Sequence, residues 1–183
     1  MIFVLILSYS VGNMLNAIIN KEYKEKRLAV AETRIYEKEL DESEQVVYQD
    51  MTMNELAEKL NRSLNSTISG QGYLIASYSL EKGVDPYLAV AIMLHETGCK
   101  WECSTLVKSC YNVGGQKGSP SCGNGSYRRF SSLEEGIKGF IDNLAKNYYA
   151  YGLTTPEQMN RKYAGSTTWA SKVNAYIEQI KAN

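Results

Sequence analysis

Glu96 is the residue whose type and position most clearly suit chemistry, because it stands in the run HETG at the end of an apolar segment. A carboxylic acid there can donate a proton to a leaving-group oxygen, as the acid of a glycosidase does. The segment predicts a helix, with Asp85 suited to the N-cap, Pro86 to the first turn and Gly98 to the C-terminal stop. Glu96 would then lie near the negative end of the helix dipole among apolar neighbours, and both effects disfavour its charged form. We interpret Glu96 as a general acid; a solvated carboxylate at a helix end is the alternative.

Few acidic residues lie near Glu96 in the sequence. Ordinary glycosidases use two carboxyl groups, about 5 Å apart for retention or up to about 9.5 Å apart for inversion. Between Glu96 and Glu134, Glu102 is the only acidic residue. We therefore take Glu102 as the candidate second carboxylate, with a merely solvated side chain as the alternative.

The chain contains a single histidine, His95, and this limits the other kinds of chemistry. One histidine excludes a two-histidine zinc motif and gives little support to a Ser-His or Cys-His nucleophile pair. We interpret His95 as structural and predict neither a metal nor a cofactor.

The four cysteines fall within one short window, and their even number predicts disulfides in an oxidising compartment. They are Cys99, Cys103, Cys110 and Cys122. Their spacing leaves the pairing open and does not resemble the paired CxxC of a structural zinc site. Reduced cysteines in a cytosolic protein are the remaining alternative.

The elements that must position these residues are mainly helices. Capping residues and apolar periodicity predict helices that begin at about Met53, Tyr73, Pro86, Leu133, Pro156 and Trp169. Residues 99 to 130 are instead rich in Gly, Ser, Asn and Cys and show almost no periodicity. The fold class is therefore mainly α, of an α+β kind: a helical lobe with a loop-rich, disulfide-stapled insertion or small β lobe.

The chain divides into three parts. Residues 1 to 20 carry no charged side chain and begin with the apolar run MIFVLIL, which predicts a membrane anchor or an uncleaved signal. Residues 21 to 63 are rich in Glu, Lys and Arg and predict a charged helical stalk, and residues 64 to 183 form the compact domain. Basic and acidic side chains both number 20, so the charge does not indicate a nucleic-acid partner.

From Leu64 onward several ordered blocks resemble a known family. The blocks are the L…GxG pattern of 64–72, GVDPYLAVAIMLHETG, YNVGGQKG, YRRFSSLEEGIKGFIDNL and KYAGSTTWASKV. They resemble the lysozyme-like glucosaminidase domain of glycoside hydrolase family 73, which cleaves the glycan strands of peptidoglycan. Where that family commonly reads GWG after the glutamate, this chain has Gly98-Cys99-Lys100-Trp101.

The resemblance implies roles for individual residues. It makes Glu96 the catalytic acid and Tyr163 a residue of catalysis or substrate positioning. Trp169 occupies the place of the second aromatic of the family, and we take it as a substrate contact. It also implies that the N-x-x-G segment lines the substrate cleft, which maps to Asn112, Gly114 and Gly115. Because sugars bind to aromatic faces and polar groups, we add two tyrosines as substrate contacts. They are Tyr111 and Tyr127.

With this substrate, one acid can be sufficient. In a substrate-assisted route, the N-acetyl group of the substrate attacks the sugar carbon and no protein nucleophile is needed. Internal attack by the muramic acid hydroxyl, which gives an anhydro product, also needs only one acid. Both routes remain open beside inversion through Glu102.

We thus expect an endo-β-N-acetylglucosaminidase that acts on β-1,4 bonds of peptidoglycan outside the cytoplasm, anchored in the membrane or secreted to the cell wall. A muramidase or a lytic transglycosylase of the same fold is an alternative. A non-catalytic wall-binding subunit of a conjugation or secretion apparatus, with other envelope proteins as partners, is the alternative from a different class.

Overall fold

The computed structural model describes residues 20–36 and 45–183, and the chain divides into two compact units, Met1–Gln45 and Val46–Asn183. In the first unit, residues 20–36 form helix α1, whose side chains are exposed and include an ion pair of 2.9 Å between Lys26 and Glu22. The expected membrane segment lies outside the described residues except for residue 20. In the part of the chain that the structure describes, no helix is long and apolar enough to cross a membrane.

The second unit begins with a β-hairpin and a capped helix. Strands β1 (Val46–Tyr48) and β2 (Met51–Thr52) are antiparallel, and helix α2 (Met53–Asn61) follows directly. Thr52 and Glu55 form the capping box that the sequence predicts.

The compact unit begins at Val46, before the predicted boundary at residue 64. On α2, Leu56 and Leu60 are both fully buried, and Tyr48 of the hairpin meets the Tyr87 ring edge-on at 5.3 Å. The hairpin and α2 therefore belong to the compact unit and not to the predicted stalk, because their apolar side chains complete its core.

The centre of this unit is helix α4 (Pro86–Thr97), which packs against α3 (Gly72–Glu81) and α8 (Trp169–Ala182). Nearly every side chain of α4 is buried. The predicted helix signals are confirmed: the Asp85 carboxylate accepts hydrogen bonds from the first turn, at 2.8 Å from Tyr87 N, and Gly98 is left-handed with φ 70°.

The predicted helices after the insertion are also present. They are α6 (Leu133–Asn147), α7 (Pro156–Tyr163) and α8 (Trp169–Ala182), and short 3-10 helices cover Ser66–Ile68 and Tyr149–Tyr151. Ser132 and Thr155 accept the capping hydrogen bonds of α6 and α7. The mainly α, lysozyme-like fold class is thereby confirmed.

The cysteine-rich insertion, residues 99–130, contains little regular structure. It holds one short helix that the sequence did not predict, α5 (Thr105–Cys110), and two isolated antiparallel bridges, Lys117 with Tyr127 and Ser121 with Arg128. Disulfides join Cys99 to Cys103 and Cys110 to Cys122, which decides the pairing that spacing left open.

Helix α6 is in backbone contact with the insertion at Gly136. A Cβ atom at Gly136 would lie 1.8 Å from the Tyr111 carbonyl oxygen. Although alanine favours a helix over glycine, the clash dominates in Gly136→Ala, and we expect a loss of about 1–3 kcal/mol in the free energy of unfolding. Urea denaturation measures this loss.

Gly165→Ala is the matched control, because a Cβ atom at Gly165 meets nothing within 4 Å. Its free energy of unfolding should stay within about 0.5 kcal/mol of that of the parent chain. Equal stability of the two variants would contradict the close packing of α6 on the insertion.

Candidate active site

Glu96 lies in the last turn of α4, where the helix leaves the core. Its side chain is exposed, whereas Thr97 beside it is only 5% exposed. The direction of its side chain brings the carboxylate to the surface, although Glu96 follows a buried helix. This exposure makes the carboxylate accessible to a polymeric substrate.

Trp169, the first residue of α8, fixes one oxygen of this carboxylate. Its indole Nε1 donates a hydrogen bond of 3.2 Å to Glu96 Oε1. The Trp169 side chain is only 2% exposed, and its ring stacks on that of Tyr163 with centroids 4.6 Å apart and planes inclined by 22°. The predicted sugar contact at Trp169 therefore needs correction, because a buried ring has no free face and this indole instead orients Glu96.

Tyr163 and Tyr148 stand close to the same carboxylate. Their rings are tilted against each other with centroids 5.4 Å apart. Burial raises the pKa of the Tyr163 phenol well above its usual range, and the negative charge of Glu96 raises it further. The same two causes, burial first, raise the pKa of Tyr148. Both phenols are therefore neutral at ordinary pH and can donate hydrogen bonds.

Tyr148 is a residue near Glu96 that no sequence motif indicates. Tyr148 follows α6 directly, and its side chain is 9% exposed. No local pattern distinguishes it from the neighbouring Tyr149 and Tyr151. Only the packing of the end of α6 against Tyr163 reveals the position.

Gly115 approaches Glu96 from the insertion. It is left-handed with φ 60°, and a Cβ atom built there would lie 3.6 Å from Glu96 Oε2. The two carboxylate oxygens thus have different surroundings, since Oε1 accepts the indole N–H of Trp169 and Oε2 faces the Gly115 backbone. A side chain at this position would occupy space next to Oε2.

Asn112 and Gly114, predicted to line the cleft, have close contacts within the insertion and with α6. Asn112 is fully buried, and its Nδ2 donates to the carbonyl oxygens of Gln116 and Arg128, both at 2.8 Å. Its Oδ1 accepts from the Gln116 N–H at 2.9 Å. A Cβ atom at Gly114 would lie 2.1 Å from Phe140 Cδ2. The amide of Asn112 is thus engaged within the loop, and one side of Gly114 packs on the Phe140 ring.

The two predicted tyrosine contacts of the insertion differ in exposure. Tyr127 is 44% exposed and lies in the bridge with Lys117, so its ring is accessible to a ligand. Tyr111 is half-buried and left-handed with φ 54°, at the end of α5. Its backbone turn directs the chain towards Gly115, which is a structural role.

An open groove of about 600 Å³ follows α6, and neither Glu96 nor Gly115 lines it. Its walls include Gln116, Arg128 and Phe130 from the insertion and the polar face of α6. Gln116 Oε1 and Arg128 Nε are buried there without a hydrogen-bond partner in the described chain. Buried polar atoms of this kind usually find a partner in the protein or in ordered water.

Glu102, the candidate second carboxylate, is paired on the surface. Its side chain is 76% exposed, and its Oε1 lies 2.5 Å from Lys108 Nζ. The hydrogen bond and the charge of Lys108 lower the pKa of Glu102. A carboxylate bound to a lysine in this way is a weaker base, so the position does not favour the activation of water.

His95 packs against aromatic rings, as a structural histidine does. Its ring meets Trp169 edge-on with centroids 6.4 Å apart, and Tyr176 lies at 6.3 Å on the other side. His95 thereby supports the indole that donates to Glu96.

A scan against protein-family models identifies the class to which this site belongs. The model for glucosaminidase, described as mannosyl-glycoprotein endo-beta-N-acetylglucosaminidase, matches residues 73–182. The match includes Glu96, the loop that carries Gly115, and the Tyr163–Trp169 stack, and the protein is a glycoside hydrolase. The chain belongs to the glucosaminidase family, glycoside hydrolase family 73, as the sequence blocks indicate. No curated protein matches this sequence.

The closeness of Glu96 to Tyr148 can be tested through the ionisation of the phenol. In Glu96→Gln the neighbouring negative charge is absent, so the Tyr148 phenolate is less disfavoured and its pKa should move down towards the ordinary value. Burial raises the pKa of Tyr149 to about 12 without a contribution from Glu96, so Tyr149 should not move. An alkaline NMR titration that follows the tyrosine Cζ signals measures both. Equal shifts of the two tyrosines, or none at Tyr148, would contradict the geometry.

Proposed function

We propose that this protein cleaves the β-1,4 glycosidic bonds of peptidoglycan as an endo-β-N-acetylglucosaminidase, with Glu96 as its general acid. Membership of the family supports a peptidoglycan-type glycoside hydrolase. The observation that carries the finer assignment is the arrangement of Glu96: an exposed carboxylate whose Oε1 is held by the buried Trp169 indole. A proton donor must be accessible and fixed in orientation, and Glu96 meets both conditions.

The surroundings of the two oxygens indicate how the acid works. Oε1 accepts the indole N–H, so the proton to be donated is carried by Oε2 on the Gly115 side. As the bond between the anomeric carbon and the glycosidic oxygen breaks, this proton passes to the leaving oxygen. The indole N–H then stabilises the carboxylate that forms.

A one-acid route fits the site better than a two-carboxylate route, because Glu102 is paired with Lys108. In the substrate-assisted form, the carbonyl oxygen of the substrate N-acetyl group attacks the anomeric carbon and gives a cyclic oxazolinium ion. Water then attacks the same carbon and reopens the ring, while the Glu96 carboxylate takes the proton from the water. The bonds formed and broken in these two steps balance without a protein nucleophile.

Tyr163 assists this reaction in our proposal. Its neutral phenol lies near Glu96, and its ring is fixed by stacking on Trp169. A phenol in this position donates a hydrogen bond to the N-acetyl group and orients it for attack. In the same proposal, the groove along α6, whose wall includes Gln116, binds another part of the strand.

The family indicates a location related to the cell wall. The two disulfides favour an oxidising compartment. We retain, as part of the proposal, the anchoring of the domain through residues 1 to 20 and a charged stalk that sets its reach into the wall.

Digestion of purified peptidoglycan, with mass spectrometry of the products, tests the assignment. The parent chain should release fragments with a reducing N-acetylglucosamine end. Glu96→Gln keeps the shape but removes the acid, and cleavage should fall by at least about a hundredfold. Glu102→Gln is the matched control and should retain most of the activity, because its partner Lys108 lies at the surface.

The other outcomes have distinct meanings. A reducing muramic acid end would identify a muramidase, and an anhydro end a lytic transglycosylase. Full activity of Glu96→Gln would reject the acid, and loss of activity in Glu102→Gln would restore the second carboxylate. Binding to the wall without any cleavage by the parent chain would favour a scaffold subunit.

Tyr163→Phe tests the role of the phenol separately. Phenylalanine keeps the stack on Trp169 but cannot donate to the N-acetyl group, so kcat should fall by about tenfold or more with little change in KM. Kinetics on purified walls measure the two constants, and Tyr151→Phe is the control because Tyr151 is 71% exposed. An unchanged kcat in Tyr163→Phe would show that the hydroxyl has no part in the reaction.

A further inference from the structure

Lys117 belongs to the loop that brings Gly115 to Glu96, and the reaction proposed above gives it no part. Gly115 faces Glu96 Oε2, and Lys117 follows Gly115 by two residues. Because two residues span at most about 7 Å, the Lys117 backbone lies close to the candidate acid. The Lys117 side chain is exposed, so a sugar bound next to Glu96 is within its reach.

Lys117 is opposite Tyr127 in a short antiparallel bridge. Arg128 N–H donates to the Gln116 carbonyl at 2.8 Å on one side of this pair, and a second backbone bond of 3.0 Å closes the other side. The pair itself is therefore a non-hydrogen-bonded pair, in which the Cβ atoms lie about 4.5–5.5 Å apart on the same face. This geometry places an ammonium group beside an aromatic ring.

The backbone of this pair is held firmly. The buried Asn112 amide makes hydrogen bonds to both strands, next to Lys117 on one and next to Tyr127 on the other. The Tyr127 carbonyl also accepts from the Cys122 N–H at 2.7 Å, and Cys122 belongs to a disulfide. Two exposed side chains are thus carried by a fixed backbone.

Both side chains are available to a ligand. In residues 20–36 and 45–183, the Lys117 ammonium pairs with no carboxylate, whereas Lys108 of the same insertion is paired with Glu102. The Tyr127 side chain is 44% exposed. An aromatic ring packs well on the C–H face of a pyranose, and a nearby donor can bind one of its oxygens.

An amide carbonyl oxygen is the acceptor that suits this ammonium best. An ammonium group has three donors and no acceptor, and a charged donor makes stronger hydrogen bonds than a neutral one. The sugars of the strand in the proposed function carry neutral N-acetyl groups, and a carbonyl oxygen accepts better than a hydroxyl. Lys117 can therefore distinguish an N-acetylated sugar from a plain one without an opposite charge on the ligand.

From these features we propose that Lys117 and Tyr127 form a binding site for the N-acetylated sugar on the leaving side of the scissile bond. The pyranose ring packs on Tyr127, and the Lys117 ammonium donates to the acetamido carbonyl oxygen. This inference rests on the proposed function, in which Glu96 Oε2 gives its proton to the leaving oxygen. Because Gly115 lies on the Oε2 side, the pair that follows it is assigned to the leaving sugar.

Two neutral tetrasaccharides separate the ring contact from the acetamido contact. Chitotetraose, the β-1,4 tetramer of N-acetylglucosamine, carries the acetamido groups, and cellotetraose, the β-1,4 tetramer of glucose, lacks them. The full chain with Glu96→Gln serves for binding, and the Tyr127 Cζ signal in NMR, assigned through its absence in Tyr127→Phe, reports the site. Chitotetraose should shift this signal in a saturable way and bind at least about fivefold more tightly than cellotetraose.

Variants of the pair make the test specific, with calorimetry measuring both affinities. Lys117→Met removes the donor and should reduce the preference for chitotetraose by about fivefold, and Lys117→Arg should restore most of it. Tyr127→Ala should weaken both tetrasaccharides alike, by about fivefold. Lys172→Met removes an exposed lysine of α8 and is the matched control, which should bind both as the parent does.

Kinetics on purified walls add a second measurement in the chain that retains Glu96. Lys117→Met should raise KM by about fivefold and leave kcat within about twofold, because the contact binds the sugar and takes no part in proton transfer.

Several results would overturn the inference. A Tyr127 signal that stays still, an unchanged preference for chitotetraose in Lys117→Met, or a fall in kcat with no change in KM would each do so. Failure of the proposed function is recognised differently, by the absence of wall cleavage by the parent chain, whatever the two tetrasaccharides do.

Discussion

The hydrogen bond from the Trp169 indole to Glu96 is the interaction on which the rest of the site depends. It connects the last turn of α4 to the first residue of α8, so it requires both helices to be in place. The indole is buried and stacked on Tyr163, and it cannot turn away to find another acceptor. An exposed carboxylate is ordinarily free to rotate, and this single contact gives it one orientation at a small cost in side-chain entropy.

The opposite side of the site depends on a loop that has almost no secondary structure. Asn112 supplies the order that a sheet would otherwise give, because its amide makes three hydrogen bonds to the backbone of the insertion. The disulfide from Cys110 to Cys122 closes the same segment. Gly115 can therefore stand next to Glu96 Oε2 although no strand carries it.

The sequence predicted the parts of the fold that local chemistry determines. The start and end of α4 follow from Asp85, Pro86 and Gly98, each of which acts within a few residues of itself. Helix α5 was missed because Thr105–Cys110 is too short to show periodicity. The fold class needed only the pattern of helices and the cluster of cysteines, whereas the cysteine pairing depends on distances that spacing does not contain.

For the candidate site, the sequence indicated residues but not the contacts that these residues make. Trp169 and Asn112 were selected as sugar contacts, yet one supports the acid and the other supports a loop. Trp169 and Glu96 are 73 positions apart, so no local pattern could indicate that hydrogen bond. Asn112 bonds to Gln116, 4 positions away, and to Arg128, 16 positions away, so only part of its role is local. The role predicted for Glu96 stays a prediction, and its exposure was not predicted, because a helix pattern does not tell which way the last side chain of a helix points.

The close packing of glycines between the insertion and α6 restricts how these two parts can move. Gly136 touches the Tyr111 backbone, Gly114 touches the Phe140 ring and Gly139 touches the Phe130 ring. With contacts at three points, the insertion and α6 pack without room for a side chain between them. Any hinge motion between the insertion and α6 would have to break these contacts.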